Sequence, residues 1–376
     1  MTKRVCFVIN QLGGVGAGGS DRVVSVIANE LAARGWGVDI LALTGDDTID
    51  RALAPSVNVR FEAPISSKVR ALQIGQRMQR GAALVRSYVR DHPDVVIVSF
   101  IAWVNMCTMA GVTGTKHGPV ILSERTDPAS DPRSAIARKL RDLAYRRAHG
   151  LVFQTPDAQT HFRERVRVYS EVIPNPVTAG LPLWSPPTRG VEIVSAARLE
   201  AQKNIPLLID AFAPIARSHG DANLRIFGEG KLRGQLQSYI DERGLADVVT
   251  LEGFVSDVHQ RLAKGSLFVM SSDFEGMPNA LLEAMAIGMP VISVDCPIGG
   301  PRMMIEHNVN GALVPQGDVD AMSAEIKRLI EFPAAARAMA ARALHARDLY
   351  STRHVVDSWE RLIDAVTRAP ERLSNG

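Results

Sequence analysis

The feature that most constrains this chain is the recurrence of short apolar runs, each followed by a stretch of helical periodicity. In the first half the strand-like runs are residues 4–9, 38–43, 95–99, 120–123 and 150–154, with helices predicted over 21–34 and 133–147. In the second half they are 192–197, 223–227, 248–252, 267–270, 290–294 and 312–314, interleaved with helical patterns over 205–217, 231–243, 280–287 and 319–330. Strands that alternate with helices are the signature of βαβ units and parallel sheets. Near-continuous Val, Ile and Leu runs fit sheets covered on both faces. The fold class read from this pattern is α/β, with doubly wound sheets.

A length of 376 residues suits two such domains. The join is legible at Ile173-Pro174-Asn175-Pro176-Val177, followed by Gly180, Pro182, Pro186, Pro187 and Gly190. Proline lacks an N–H and cannot continue a helix or a central strand, so this stretch reads as hinge and linker. The expected domains are 1–178 and 190–350. A last helix over 353–366 is predicted to pack back on the first domain, with the tail to 376 polar.

Composition removes several classes. The apolar run at the N-terminus is too short for a signal-peptide core, and no stretch nears the 18–20 apolar residues of a membrane span. A cytoplasmic protein is expected. Cys6, Cys107 and Cys296 are far apart and form no CxxC, which fits buried thiols rather than a metal or dithiol site. Net charge is +3, unevenly spread: residues 1–180 hold 23 Lys and Arg against 16 Asp and Glu, and residues 181–376 hold 20 against 24.

Three segments carry chemistry. The first strand runs into Gly13-Gly14-Val15-Gly16-Ala17-Gly18-Gly19 before a helix. Gly14-x-Gly16-x-x-Gly19 matches a dinucleotide fingerprint, and such a loop lets backbone N–H groups approach a phosphate at a helix N-terminus. The acid that a dinucleotide site needs at the end of the second strand is missing, since Asp39 falls inside that strand and Asp46 and Asp47 fall beyond it. An NAD(P)-dependent oxidoreductase is therefore one reading of this loop, and a phosphate-lining loop of another enzyme is the other. The second segment places Arg198 and Lys203 just past the C-terminal edge of a parallel strand, where open α/β sheets bind ligands. Arg grips phosphate oxygens in a fork and Lys adds a mobile point charge. A solvated charged loop is the bland alternative. The third segment, Glu275 to Glu283, sets two carboxylates on either side of a helix start. Gly276-Met277-Pro278 forces a turn, and the amides of Asn279, Ala280 and Leu281 open the helix, where a diphosphate could be held.

Taken together and in order, these landmarks resemble glycosyltransferase family 4, retaining enzymes of GT-B fold: two Rossmann-like doubly wound domains facing across a cleft. The matching residues are the Gly-rich loop, the Ile173-Pro-Asn-Pro hinge, Arg198 and Lys203, Phe227-Gly228-Glu229-Gly230, Gly253-Phe254, Glu275-x7-Glu283, and the blocks from Gly288 to Ile292 and from Gly311 to Pro315. The resemblance implies that Arg198 and Lys203 bind the donor diphosphate and stabilise the leaving group. Glu275 would contact the donor sugar with Met277, Asn279 and Ala280, and Glu283 would hold the ribose. Gly228 and Glu229 would lie beside the nucleotide and Phe254 near the base, with Gly14, Gly16, Gly18 and Gly19 closing over the diphosphate. It further implies no metal, and front-face attack in which the departing phosphate assists deprotonation. Two positions depart from the family pattern: Met303 stands where relatives often carry Glu, and Phe100 where many place His, so neither receives a role.

Ser123-Glu124-Arg125 is similar to an acceptor-side motif of bacterial glycan-assembly members, which nominates Glu124 and Arg125 as acceptor contacts. A UDP-linked hexose or N-acetylhexosamine is the expected donor and GDP-mannose the alternative. The acceptor is expected to be a glycan, lipid-linked. Residues 68–90 and 133–147 are rich in Lys and Arg with interleaved apolar positions, a pattern suited to an anionic membrane surface. Without interleaved stacking aromatics they do not suggest nucleic acid. A non-catalytic nucleotide-sugar binding module is a third reading, and retention of Arg198, Lys203, Glu275 and Glu283 argues against it.

Overall fold

The computed structural model of the protein describes residues 3–13, 19–44, 52–62, 70–163 and 165–368, with backbone alone at 70–74. Gly14, Gly16 and Gly18, and the 63–69 stretch before the basic helix, lie outside these residues. The chain divides into two compact units at Pro176/Val177, and the helix that begins at Thr352 belongs to the first.

The first unit runs β1 (Arg4–Ile9), α1 (Gly19–Ala33), β2 (Gly37–Ala42), β3 (Val57–Phe61), α2 (Arg70–Asp91), β4 (Val96–Phe100), α3 (Ala102–Val112), β5 (Val120–Ser123), α4 (Ala135–Tyr145), β6 (Gly150–Phe153), α5 (Pro156–Arg163) and β7 (Ser170–Val172). The second runs β8 (Val191–Ala196), α6 (Ile205–Ser218), β9 (Ala222–Phe227), α7 (Arg233–Glu242), β10 (Val249–Gly253), α8 (Val258–Leu262), β11 (Leu267–Met270), α9 (Asn279–Ile287), β12 (Val291–Val294), α10 (Gly300–Met304), β13 (Ala312–Val314), α11 (Val319–Glu331), α12 (Pro333–Ala343) and α13 (Ala346–Leu349). The last helix, α14 (Thr352–Arg368), closes the chain.

Every pairing between named strands is parallel, in the orders β3-β2-β1-β4-β5-β6-β7 and β10-β9-β8-β11-β12-β13. Both are doubly wound, with the strand order reversing between β1 and β4 and between β8 and β11. Apart from Arg4 at the start of β1, strands β1, β4 and β11 are buried along their lengths, as apolar runs covered by helices on both faces must be.

The sequence pattern did not mark β3 and β7. Both are edge strands with one neighbour, and their half-exposed residues break the apolar run. The proline-rich stretch also behaves differently from a linker. Trp184 and Ser185 donate backbone N–H groups to Ile287 and Ala263, the Trp184 indole donates to Gly265, and Arg347 donates to the carbonyls of Leu181 and Pro182. The prolines cannot join a ladder, but their neighbours fasten the segment to the second unit. The crossing is confined to Pro176/Val177 and Ser351/Thr352, and Val177 and Ser351 form a β-bridge.

Candidate active site

Rossmann-like sheets bind ligands outside the carboxyl ends of the strands flanking the point where strand order reverses. In the second unit those strands are β8 and β11, and their following loops carry Arg198, Lys203 and Glu275. The two loops are stitched together. Asp273 donates its N–H to Gln202, Gln202 donates its side-chain amide to Phe274, Ser271 donates its hydroxyl to Lys203, and Asn204 donates to Asp273 at 2.8 Å. This lattice brings the Lys203 ammonium onto the buried Glu275 carboxylate. The other side of the Glu275 loop is pinned by a backbone bond from Glu275 to Pro297. Gly276 is crowded by Gly300, where a Cβ would stand 1.5 Å from the Gly276 oxygen, so only glycine fits at 300. Arg198 stays half-exposed, its guanidinium 3.3 Å from Glu200.

Helix α9 starts at Asn279, directly after the Glu275 loop, and ends in a left-handed Gly288. Its N-cap is Pro278, with no side-chain cap bond. Leu281 and Met277 are both buried. Glu283 lies one turn into α9. Its Oε2 is 2.8 Å from Nε2 of His259 on α8. Just past the end of β9, Gly228 adopts φ +134° and accepts the approach of Ala197, whose oxygen would stand 2.0 Å from any Cβ there. Glu229 is exposed and pairs with Arg233 at 3.1 Å. Phe254, 82% exposed, follows Gly253, which occupies the left-handed region at φ +78°. The second unit thus joins Lys203 to Glu275 just ahead of the start of α9, with His259 bonded to Glu283 and Arg198 on the loop after β8.

In the first unit, Glu124 and Arg125 follow the end of β5. Glu124 is 1% exposed and accepts hydrogen bonds from the Tyr145 hydroxyl at 2.8 Å and the Arg125 N–H at 3.2 Å. Tyr145 in turn accepts from Asn105, which bonds Ser99. Burial raises the Glu124 carboxyl to about 7. Arg125 is also buried; it donates to Asn175 and lies over the Phe100 ring at 5.0 Å. Both acceptor candidates therefore sit inside the unit rather than on its surface. Gly19 opens α1. Asp39, the nearest acid to the place a dinucleotide site requires, is committed to Tyr88 at 2.6 Å, Arg4 at 3.0 Å and Asn58 at 3.0 Å. These bonds hold its carboxyl below the ordinary range and suit a structural role.

Two family profiles cover nearly the whole chain: glycosyltransferase family 4 over residues 17–180 and glycosyl transferases group 1 over residues 185–345. The chain belongs to glycosyltransferase family 4. Among curated relatives, the exopolysaccharide phosphotransferase of Streptomyces coelicolor is 31% identical over 68% of this chain and 29% of its own length. The lipopolysaccharide 1,6-galactosyltransferase of Salmonella typhimurium is 34% identical over 42% of this chain and 45% of its own. The chain thus spans less than half the length of these two relatives. Anabaena HepE, solved with UDP-glucose, superposes with a TM-score of 0.79 at 19% identity, covering 96% of this chain and 99% of that one. At this identity the likeness concerns the fold, which is GT-B.

For this family 4 chain, sequence motifs nominated Lys203, Glu275 and Glu283 but not the residues that hold them. Gln202, Ser271, Asp273 and His259 carry no spacing signal, because their partners come from segments 24 to 72 residues away. The two basic segments also part company. On α2, Val85, Tyr88 and Val89 are buried, so its apolar side is taken up by the unit itself. On α4, Ile136, Leu140 and Leu143 are 73%, 57% and 57% exposed. Among the described residues no helix is long and apolar enough to cross a membrane, and no three His, Cys, Asp or Glu side chains cluster as metal ligands.

Proposed function

We propose that this chain is a retaining glycosyltransferase that moves a hexosyl or N-acetylhexosaminyl group from a UDP-sugar to a glycan acceptor, lipid-linked, in cell-surface polysaccharide assembly. GDP-mannose is the alternative donor. The observation that carries this reading is the Lys203–Glu275 contact at the strand-order reversal, beside the first turn of α9. A cation and a helix N-terminus together neutralise a diphosphate. Glu275, held by Lys203 and by the Pro297 carbonyl, is pre-placed to accept sugar hydroxyls. The names of the galactosyltransferase relative and of the UDP-glucose complex support hexose chemistry on UDP.

In the proposed reaction the bond from the anomeric carbon to the phosphate oxygen breaks and the bond to the acceptor oxygen forms on the same face. The acceptor proton passes to the departing diphosphate. Arg198 and Lys203 stabilise the charge that builds there, where a preformed cation contributes most to rate. On this account a metal is not required. Glu124 and Arg125 are the nominated acceptor-side residues; because both are buried, either would reach an acceptor only after the surrounding side chains move.

The exposed stripe of α4 supports a peripheral position on the inner face of the plasma membrane. Ile136, Leu140 and Leu143 are spaced to form one helical face, and the exposed Arg133, Lys139, Arg146 and Arg147 lie on or next to the same helix in sequence. Apolar side chains enter the headgroup boundary while cations meet anionic lipid, each cation contributing about 1 kcal/mol.

The test is calorimetric titration with UDP, GDP and their sugars, with and without EDTA. UDP is expected to bind equally well with chelator present. Lys203→Ala and Glu275→Ala are expected to lower sugar transfer by roughly a hundredfold or more, the scale for removing one preorganised charge-stabilising group. Absence of binding by every nucleotide, or its loss on chelation, would overturn the proposal.

A further inference from the structure

We infer that His259 is a positioning residue for the nucleotide ribose, acting through Glu283. This rests on the reading of Glu283 as the ribose-binding carboxylate. His259 comes from α8, and its Nε2 stands 2.8 Å from Glu283 Oε2. Glu283 is buried, and the imidazole is mostly buried against it. A carboxylate at the end of a Glu side chain rotates about a broad terminal torsion, so its plane is not set by rotamer preference alone. A hydrogen bond from a ring on a neighbouring helix restricts that plane. A carboxylate offers about four acceptor positions, so the His259 bond orients the group without exhausting it. Facing a carboxylate oxygen, Nε2 serves as the donor of this pair. The α8 segment also carries Asp257 and Arg261, which pair with each other at 2.8 Å, and Arg261 lies 3.9 Å from Glu252.

A residue that orients a ribose contact and a residue that merely packs α8 on α9 differ in one readout. The first changes affinity only for ligands that carry the ribose hydroxyls. The experiment titrates UDP and 2′,3′-dideoxy-UDP, or GDP and its dideoxy analogue if GDP is the nucleotide bound, into wild type, His259→Phe and His259→Gln. Phe keeps the ring and loses the donor. Gln returns an N–H near the Nε2 position. Wild type is expected to prefer the hydroxylated nucleotide, His259→Phe to lose that preference by about tenfold, as for a lost hydrogen bond to a charged group, and His259→Gln to restore much of it. Binding of the dideoxy nucleotide is expected to stay the same in all three.

If His259→Phe does not fold, His259→Ala with and without added imidazole gives the same comparison, and imidazole is expected to restore the preference. An unchanged preference in a folded variant that still binds the nucleotide overturns the role of His259 and leaves the proposed function standing. Failure of wild type to bind either nucleotide overturns both.

Discussion

Burial at Glu124 sets a pH dependence that can be measured directly. The folded chain holds this proton up to about pH 7, whereas the ordinary value for Glu is 4.5. Between those values the folded state binds more protons than the unfolded state, so stability falls as pH rises through the window. Glu124→Gln cannot ionise and removes that slope. The melting point of Glu124→Gln relative to wild type is therefore expected to climb by several degrees between pH 4.5 and 8, since the slope amounts to about 1.4 kcal/mol for each pH unit crossed inside the window. A gap that stays flat across this range would mean that the carboxyl is not buried as described. At this scale the sequence nominated side chains by motif and was silent about those that hold them. Glu124 and Arg125 could be nominated from a tripeptide, yet nothing local marked Tyr145, Asn105 or Asn175 as their partners. The Lys203–Glu275 contact spans 72 residues of sequence and exists only because two loops share one end of a sheet.

Elements were read well where apolar periodicity was strong and badly where it was weak. The buried strands β1, β5, β11 and β13 have the bounds their apolar runs suggested, while the edge strands β3 and β7 had no such run to show. Amphipathicity alone also failed to separate α2 from α4, since both read as basic helices with apolar stripes. The difference lies in what each stripe meets: α2 packs on α3, whereas Ile136, Leu140 and Leu143 on α4 remain exposed. Replacing these three by Ser tests what covers them. The triple variant is expected to keep its melting point, because exposed positions contribute little to the core, and to lose sedimentation with vesicles containing phosphatidylglycerol. Binding to such vesicles is expected to weaken with added salt, and to be absent with phosphatidylcholine alone. Equal sedimentation of wild type and the triple variant would remove α4 from the membrane proposal.

At the level of the whole molecule, the last helix sets which unit answers for which stability. α14 buries Val355, Val356, Trp359, Leu362, Ile363 and Val366 in the core of the first unit, where Trp359 lies 5.7 Å from the Phe100 ring at the end of β4. Its polar side is tied to the same unit: Glu360 accepts from the Trp36 indole at 2.8 Å, Asp357 pairs with Arg34 at 2.6 Å and Asp364 with Lys3 at 2.8 Å. The second unit has its own core, drawn from residues 177–351. Two cores predict two unfolding events with separate controls. Trp359→Ala leaves a large cavity and is expected to cost the first unit about 3–5 kcal/mol, moving one transition down. UDP, which the proposal places on second-unit residues, is expected to raise the other transition as a ligand bound by the native state alone must. Differential scanning calorimetry of wild type and Trp359→Ala, each with and without UDP, separates these shifts. If UDP raises the transition that Trp359→Ala lowers, and leaves the other unmoved, the nucleotide is held by the first unit, and the assignment of Lys203, Glu275 and Glu283 to the donor fails with it.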